Sequence, residues 1–347
     1  MVTASMRRTL ALAVVTTIVA GAPVADAATS KRRARVAVRY ITSNQNDDGS
    51  LPAFSKVGST ADAVLAFVAA RRGERASERA LDYLAAQVEN PDSDAEAVDT
   101  VGERAKVILA AAAGGRNPRS FGGRNLVREI KALQRPNGHY GRDTPVFDQA
   151  LAILSLDSAS AQRSRRAARW LADAQCNDGG WQFDEPARRR DNRHCNDGSD
   201  TDFFKSDTNT TSYAVQALGV NRARLERSPF KFFRRARDDA KGGWGYERKT
   251  LTDANSTALV LQAYAAKERR RPRSSLGALK KLQYKLCGDK GGALAFTYSP
   301  RPGGGLKRSG RDLGATIGGV LGLLRRPLPI SSFDVDKPAP ARRACGT

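Results

Sequence analysis

Histidine, methionine and cysteine are scarce in this chain of 347 residues, at two, two and four. Two histidines and no Cys-x-x-Cys pair make a weak case for zinc, so no metal centre is expected. No cofactor motif occurs, and no cofactor is expected. Long apolar runs are missing beyond the first twenty residues, which argues against a later membrane-spanning helix. Strand patterns are almost absent, which points to an all-α chain. Acidic residues are outnumbered, 36 against 58 Lys and Arg, for a formal net charge of +22. The basic residues are scattered and carry no known nucleic-acid motif, so no specific nucleic acid is expected. They read as a solvated basic exterior that tolerates an anionic cell-envelope polymer or lipid surface.

What is present begins with a targeting segment. Arg7 and Arg8 precede an apolar core, Leu10 to Ala20, and Ala25-Asp26-Ala27 is a small-x-small cleavage site. Residues 1–27 are expected to be a signal peptide, cleaved between Ala27 and Ala28, with the mature chain secreted or extracytoplasmic. An even cysteine count in an exported chain predicts two disulfides among Cys176, Cys195, Cys287 and Cys345, with three connectivities open.

The centre of the chain repeats itself. Asp207-Thr208-Asn209-Thr210-Thr211 lies over Asp253-Ala254-Asn255-Ser256-Thr257, and Gln216-Ala217 over Gln262-Ala263, with no gap. Each copy holds a first helix, a Gly-Gly-Trp turn (Gly179-Gly180-Trp181; Gly242-Gly243-Trp244) and a second helix capped by Asp207 or Asp253. One hairpin cannot bury its own apolar face, so neighbours must stack on it. Four further units follow from periodicity and turn residues, making six hairpins and twelve helices over residues 36–324. Residues 28–35 read as a basic N-terminal tail and 325–347 as a Pro-rich C-terminal tail. The fourth unit carries a polar insert at about 184–206 that holds His194 and Cys195. Cys176 sits just before the turn leading into it, so Cys176–Cys195 is the preferred first bridge. Cys287–Cys345 would then pin the tail to the last unit.

Gln175-Cys176-Asn177-Asp178-Gly179-Gly180-Trp181, the second Gly-Gly-Trp turn and the Thr-rich helix openings resemble the glutamine–tryptophan repeat of squalene-type cyclases. The chain thus looks like a member of the terpenoid cyclase and protein prenyltransferase group. That resemblance implies an α6/α6 toroid, a closed double ring whose second helices form the inner wall. It implies no particular chemistry, because the group's catalytic signatures are missing. There is no Asp-x-Asp-Asp acid; Asp334-Val335-Asp336 lies in the tail. There is no Asp-x-Cys for prenyltransferase zinc and no Gly-Cys-Gly-Glu-Gln thioester, and Asp238-Asp239 lacks diphosphate-binding spacing.

Aligning the second helices gives opening residues at Gly58, Asp99, Thr144, Asp207, Asp253 and Asp312. Four residues further on lie Asp62, Glu103, Asp148, Thr211, Thr257 and Thr316. At one height on an inner ring these would circle a cavity mouth, three carboxylates facing three threonines. Asp62, Glu103 and Asp148 are the candidate acids if the chain is an enzyme. Satisfying helix ends is the competing role of the whole row. His139 and His194 read as turn and loop residues. Trp181 and Trp244 read as wedges between units, and Asn177-Asp178-Gly179 and Asn196-Asp197-Gly198 as plain turns.

Three functions remain open: a binding protein holding a lipid, isoprenoid or cobalamin-like molecule at its cavity; a cyclase, transferase or polysaccharide-acting enzyme with a displaced acid; an envelope scaffold. An unknown small molecule or lipid is the expected partner, and a monomer the expected state.

Overall fold

The computed structural model describes residues 22–93, 97–185, 195, 205–223, 225–288 and 291–330. Among the described residues, twelve helices alternate between outer and inner positions. The outer ones are α1 (Ala22–Thr42), α3 (Glu74–Glu89), α5 (Leu126–Ala132), α7 (Arg165–Asp173), α9 (Pro229–Ala236) and α11 (Ser275–Leu282). The inner ones are α2 (Lys56–Ala70), α4 (Val101–Ala113), α6 (Val146–Ser158), α8 (Thr208–Val220), α10 (Ala254–Ala266) and α12 (Leu313–Leu324).

Side-chain chemistry at the helix starts sets the inner wall. Asp207, Asp253 and Asp312 cap α8, α10 and α12 as their sequence suggests, each accepting from the amide three residues on (2.7, 2.7 and 2.6 Å). The first three openings differ from expectation. α2 is capped by Ser55 rather than Gly58, α4 by Thr100 rather than Asp99, and α6 starts after Pro145 rather than Thr144. Serine and threonine present a cap acceptor that glycine lacks.

Each inner helix packs on the next, and α12 packs on α2, so the inner wall closes on itself. The inner helices run parallel. The amides of Val146, Thr208 and Ala254 donate to the carbonyls of Phe183, Tyr246 and Phe296, each 2.8 Å away on the turn feeding the next inner helix. Three two-stranded antiparallel ribbons decorate that end: β1 (Trp181–Gln182) with β2 (Ser206–Asp207), β3 (Leu294–Ala295) with β6 (Arg311–Asp312), and β4 (Tyr298–Pro300) with β5 (Leu306–Arg308). β1 faces β2 in the register Trp181 to Asp207, so the strands flanking the insert pair with each other.

Glutamines in the turns fasten unit to unit. Gln45 Nε2 donates to Gly49 O in its own turn and to Ala76 O in α3 (2.8 and 2.9 Å). Gln175 Nε2 repeats this with Gly179 O and Arg227 O (2.9 and 3.0 Å), and Gln134 Nε2 reaches Ser164 Oγ, the α7 cap (2.7 Å). Gln283 Nε2 donates to Gly292 O and to Arg33 O in α1 (2.9 and 3.1 Å), which joins the last unit to the first. In the fifth unit Arg237 replaces the glutamine and donates to Gly242 O and to Ser274 Oγ.

The two tails are shorter than expected. Residues 28–35 lie inside α1, not in a tail. Ala34, Ala37, Val38 and Ile41 are buried at helical spacing, so the helix continues through the basic stretch with its charged stems outward. The expected cleavage point, Ala27–Ala28, falls within the bounds of α1. At the other end Leu328 and Ile330 are buried, and Leu328 N donates to Gln216 Oε1 on α8 (2.8 Å). Cys176 and Cys195 form a disulfide. Cys287 is also disulfide-bonded; its expected partner, Cys345, lies outside the described residues, as does His194.

Candidate functional site

All six inner helices contribute to one cavity of about 260 Å³ on the ring axis. Its wall is mainly apolar: Leu65 from α2, Phe147 from α6, Leu259 from α10, and Ile317 and Leu321 from α12. Gly314 and Gly318 keep the α12 side of that wall flat. Phe54, 89% exposed, stands at the end where the inner helices begin, and Leu328 closes the end where they finish. Its polar lining includes Asp62, Lys106, Asn209, Asn255 and Gln262. Asn209 and Asn255 occupy matching places in the sequence repeat, one residue past the start of their helices.

The expected row of six splits into three fates. Asp62 lines the cavity and accepts from Lys106 Nζ at 2.7 Å, a half-buried ion pair inside an apolar wall. Asp148 lies behind it, its carboxylate against the face of Gly102, where a Cβ would come within 2.5 Å of Oδ1. Burial pushes the Asp148 carboxyl up to about 6; the Lys106 charge opposes that rise and the Glu103 charge adds to it. Glu103 turns away to close a capping box, its Oε2 accepting from Thr100 N at 2.9 Å while Thr100 Oγ1 accepts from Glu103 N at 3.1 Å.

The three threonines do not line the cavity. Thr211, Thr257 and Thr316 are fully buried, and their Oγ1 atoms accept from the amides of Trp181, Trp244 and Leu294 (2.9, 3.0 and 2.9 Å). Their partner in the first unit is Thr60, which accepts from Leu51 N at 2.9 Å, two positions before Asp62. In the third unit Gln149 Oε1 takes the amide of Tyr140 at 2.9 Å. Thr60, Gln149, Thr211, Thr257 and Thr316 are thus clamps holding five of the turns onto their inner helices. A turn amide stripped of water needs an acceptor, and a hydroxyl one turn into the facing helix supplies it. Asp62 therefore shares no register with the threonines, and this offset is why it alone reaches the axis.

Lys106 was invisible at the sequence level: nothing in VGERAKVILAAAA separates it from a solvated lysine. His139 is fully buried rather than on a surface turn. Its ring stacks on Trp170 with centroids 4.0 Å apart, Nε2 lies 2.9 Å from Thr144 O, and Nδ1 lies 3.4 Å from Glu185. Trp181 and Trp244 are fully buried wedges whose Nε1 atoms donate to Leu171 O and Phe233 O, both at 2.7 Å. Asp178 closes its own turn, accepting from Gly180 N at 2.9 Å. Among the described residues, no group of three His, Cys, Asp or Glu side chains is placed to hold a metal ion.

The same fold occurs in known structures. Type II terpene cyclase MstE from Scytonema, solved with its product merosterolic acid A, superposes with a TM-score of 0.60 at 12% identity, covering 87% of this chain and 98% of that one. The same cyclase holding its substrate, geranylgeranyl dihydroxybenzoate, gives 0.59 at 12% identity over the same shares. A protein from Actinoplanes gives 0.55 at 14% identity, covering 86% of this chain and 99% of that one. The fold is an α/α toroid. No sequence-family profile and no curated protein matches the chain. The toroid's chemistry must accordingly be argued from its own cavity, since such identities carry architecture alone.

Proposed function

We propose that the toroid is an exported binding protein for a small amphipathic molecule. Such a ligand would place its apolar body among Leu65, Phe147, Leu259 and Ile317 and its polar group at the Asp62–Lys106 pair. The observation that carries this reading is an axial, mostly apolar cavity with a single ion pair set into its wall. Its size supports a ligand shorter than a twenty-carbon isoprenoid and leaves a corrinoid room only at the mouth.

A second reading is favoured by one feature. Asp148, raised to about 6 by burial, is suited to give up a proton near neutrality, as an acid-initiated cyclase requires. Against it, Asp148 packs behind the wall, and Lys106 occupies Asp62, the one carboxylate lining the cavity among the described residues.

Calorimetric titration with medium-chain fatty acids and short prenols tests the first reading. Binding at micromolar level that falls at least tenfold in Lys106→Met supports it; no heat from any probe overturns it. Product analysis after incubation with short prenyl substrates tests the second. Turnover that survives Asp148→Asn would remove that acid. Export is part of the proposal: the signal-like residues 1–27 and the Cys176–Cys195 disulfide both suit an oxidising compartment. Cleavage after Ala27 would leave the buried face of α1 intact.

A further inference from the structure

Because the inner helices run parallel, the connections between units all gather at one end of the ring and the turns within units at the other. The two ends differ sharply in charge. The described residues of the stretches after α2, α4, α6, α8, α10 and α12 (71–73, 114–125, 159–164, 221–228, 267–274 and 325–330) hold fifteen Arg or Lys and two acids, Glu226 and Glu268. The described residues of the turns at the cavity-mouth end hold twelve basic and fourteen acidic residues. Cations favour the negative ends of helices, but six helix ends do not call for fifteen of them.

The charge is densest where a cleft opens. Phe230 and Arg234 of α9 face Tyr264 of α10 across a hollow of about 630 Å³, and Arg269, Arg270 and Arg273 edge it. Arg234, Arg269, Arg270 and Arg273 are exposed. The Arg269 guanidinium lies 4.6 Å from the centre of the Phe230 ring, a cation–π contact at the edge of the cleft. Arg271 Nη1 donates to the carbonyls of Pro272 and Arg273 (3.4 and 3.1 Å) and so stiffens the loop.

We propose that this basic end docks a linear phosphate-bearing polymer without nucleobases, gripped first in the 269–273 cleft. Arginine forks pair with phosphate oxygens two at a time, and repeated phosphates would run on to the neighbouring loops. A flat bilayer fits less well. It cannot enter the cleft, and the exposed large apolar residues that would anchor it (Phe54, Leu133, Phe183, Tyr246, Leu251 and Phe296) all lie toward the mouth end. Held by its basic end, the toroid keeps its cavity mouth facing away from the polymer.

The test titrates the full exported chain with linear inorganic polyphosphate and measures affinity against salt. Two triple variants of equal charge are compared: Arg269→Ser with Arg270→Ser and Arg273→Ser, and Lys249→Ser with Arg301→Ser and Lys307→Ser at the mouth end. The cleft variant is expected to lose about tenfold or more in affinity at about 0.1 M salt, and its log–log salt slope to shallow by about two. The mouth variant and Lys106→Met should bind as the parent does, so this outcome is separate from that of the cavity titrations. Equal weakening in both triples overturns the proposal, as does binding to anionic phosphatidylglycerol vesicles without binding to polyphosphate. Much tighter binding to oligothymidylate than to polyphosphate would assign the surface to nucleic acid instead and overturn it too. Should the cleft triple fail to fold, Arg270→Glu alone carries the comparison.

Discussion

Thr257 shows how much one hydroxyl does in this protein. Its Oγ1 accepts from Trp244 N and donates to Trp244 O, both at 3.0 Å, in a place water does not reach. Thr257→Val keeps the shape and strands that amide, so a loss of about 1–3 kcal/mol is expected in urea unfolding, with Thr257→Ser close to the parent. Asp207 is the residue to watch with pH. Burial lifts its carboxyl from 3.8 to about 7, although the Thr210 amide opposes the rise. The folded state therefore holds that proton more tightly than the unfolded chain. The resulting stability is full below the unfolded value and is lost as pH climbs through about 7. Asn also caps helices, so Asp207→Asn should gain on the parent as pH rises from 5 to 8, read as the difference between two urea midpoints. A difference that stays level across that range would show Asp207 to be ionised throughout. At this scale the sequence revealed which residue types recur but not which way they face. Thr211, Thr257 and Thr316 stood out by repetition, and repetition marked a clamp, whereas Asp62 and Lys106, which meet at the axis, belong to different units and share no pattern.

Among the elements, the turns were the most legible. Gly-Gly-Trp with a preceding glutamine fixes a tight reversal and a wedge, and both Trp181 and Trp244 are buried as their spacing implied. The link each glutamine makes to the following unit was not legible, because its acceptor lies on another unit, a backbone carbonyl fifty-two residues away for Gln175 and the Ser164 hydroxyl for Gln134. Helix starts were read well where Asp stood at the cap and poorly where Ser55, Thr100 and Pro145 did. α1 was read as beginning late because arginines mask its buried stripe of Ala34, Ala37, Val38 and Ile41. Gln283→Ala removes the two donations to Gly292 and Arg33. Hydrogen exchange should then quicken along α1 and the 283–294 turn while α4 to α6 stay as protected as before. Gln45→Ala should instead loosen the start of α3.

For the whole molecule, six like hairpins were legible in the sequence but the ring only through the resemblance to the cyclase repeat, and its closure rests on α12 meeting α2 and α1. The cavity's contents were not foreseeable, since they depend on how six helices are rotated about their own axes. The uneven distribution of charge between the two ends was hidden for a similar reason: scattered arginines fall into order only once alternate loops are known to share an end. Lys106→Met should lower ligand affinity at the axis without moving the salt dependence at the basic end, and calorimetry at two salt concentrations separates the two.

The bond between Gln283 and Arg33 spans 250 residues of sequence. A seam that distant forms only after nearly the whole chain has been made and its intervening hairpins have found their places. Until then both margins of the growing arc offer bare greasy flanks to any neighbour. Refolding should consequently be slow and yield should fall with protein concentration, the last step being the meeting of the two chain ends.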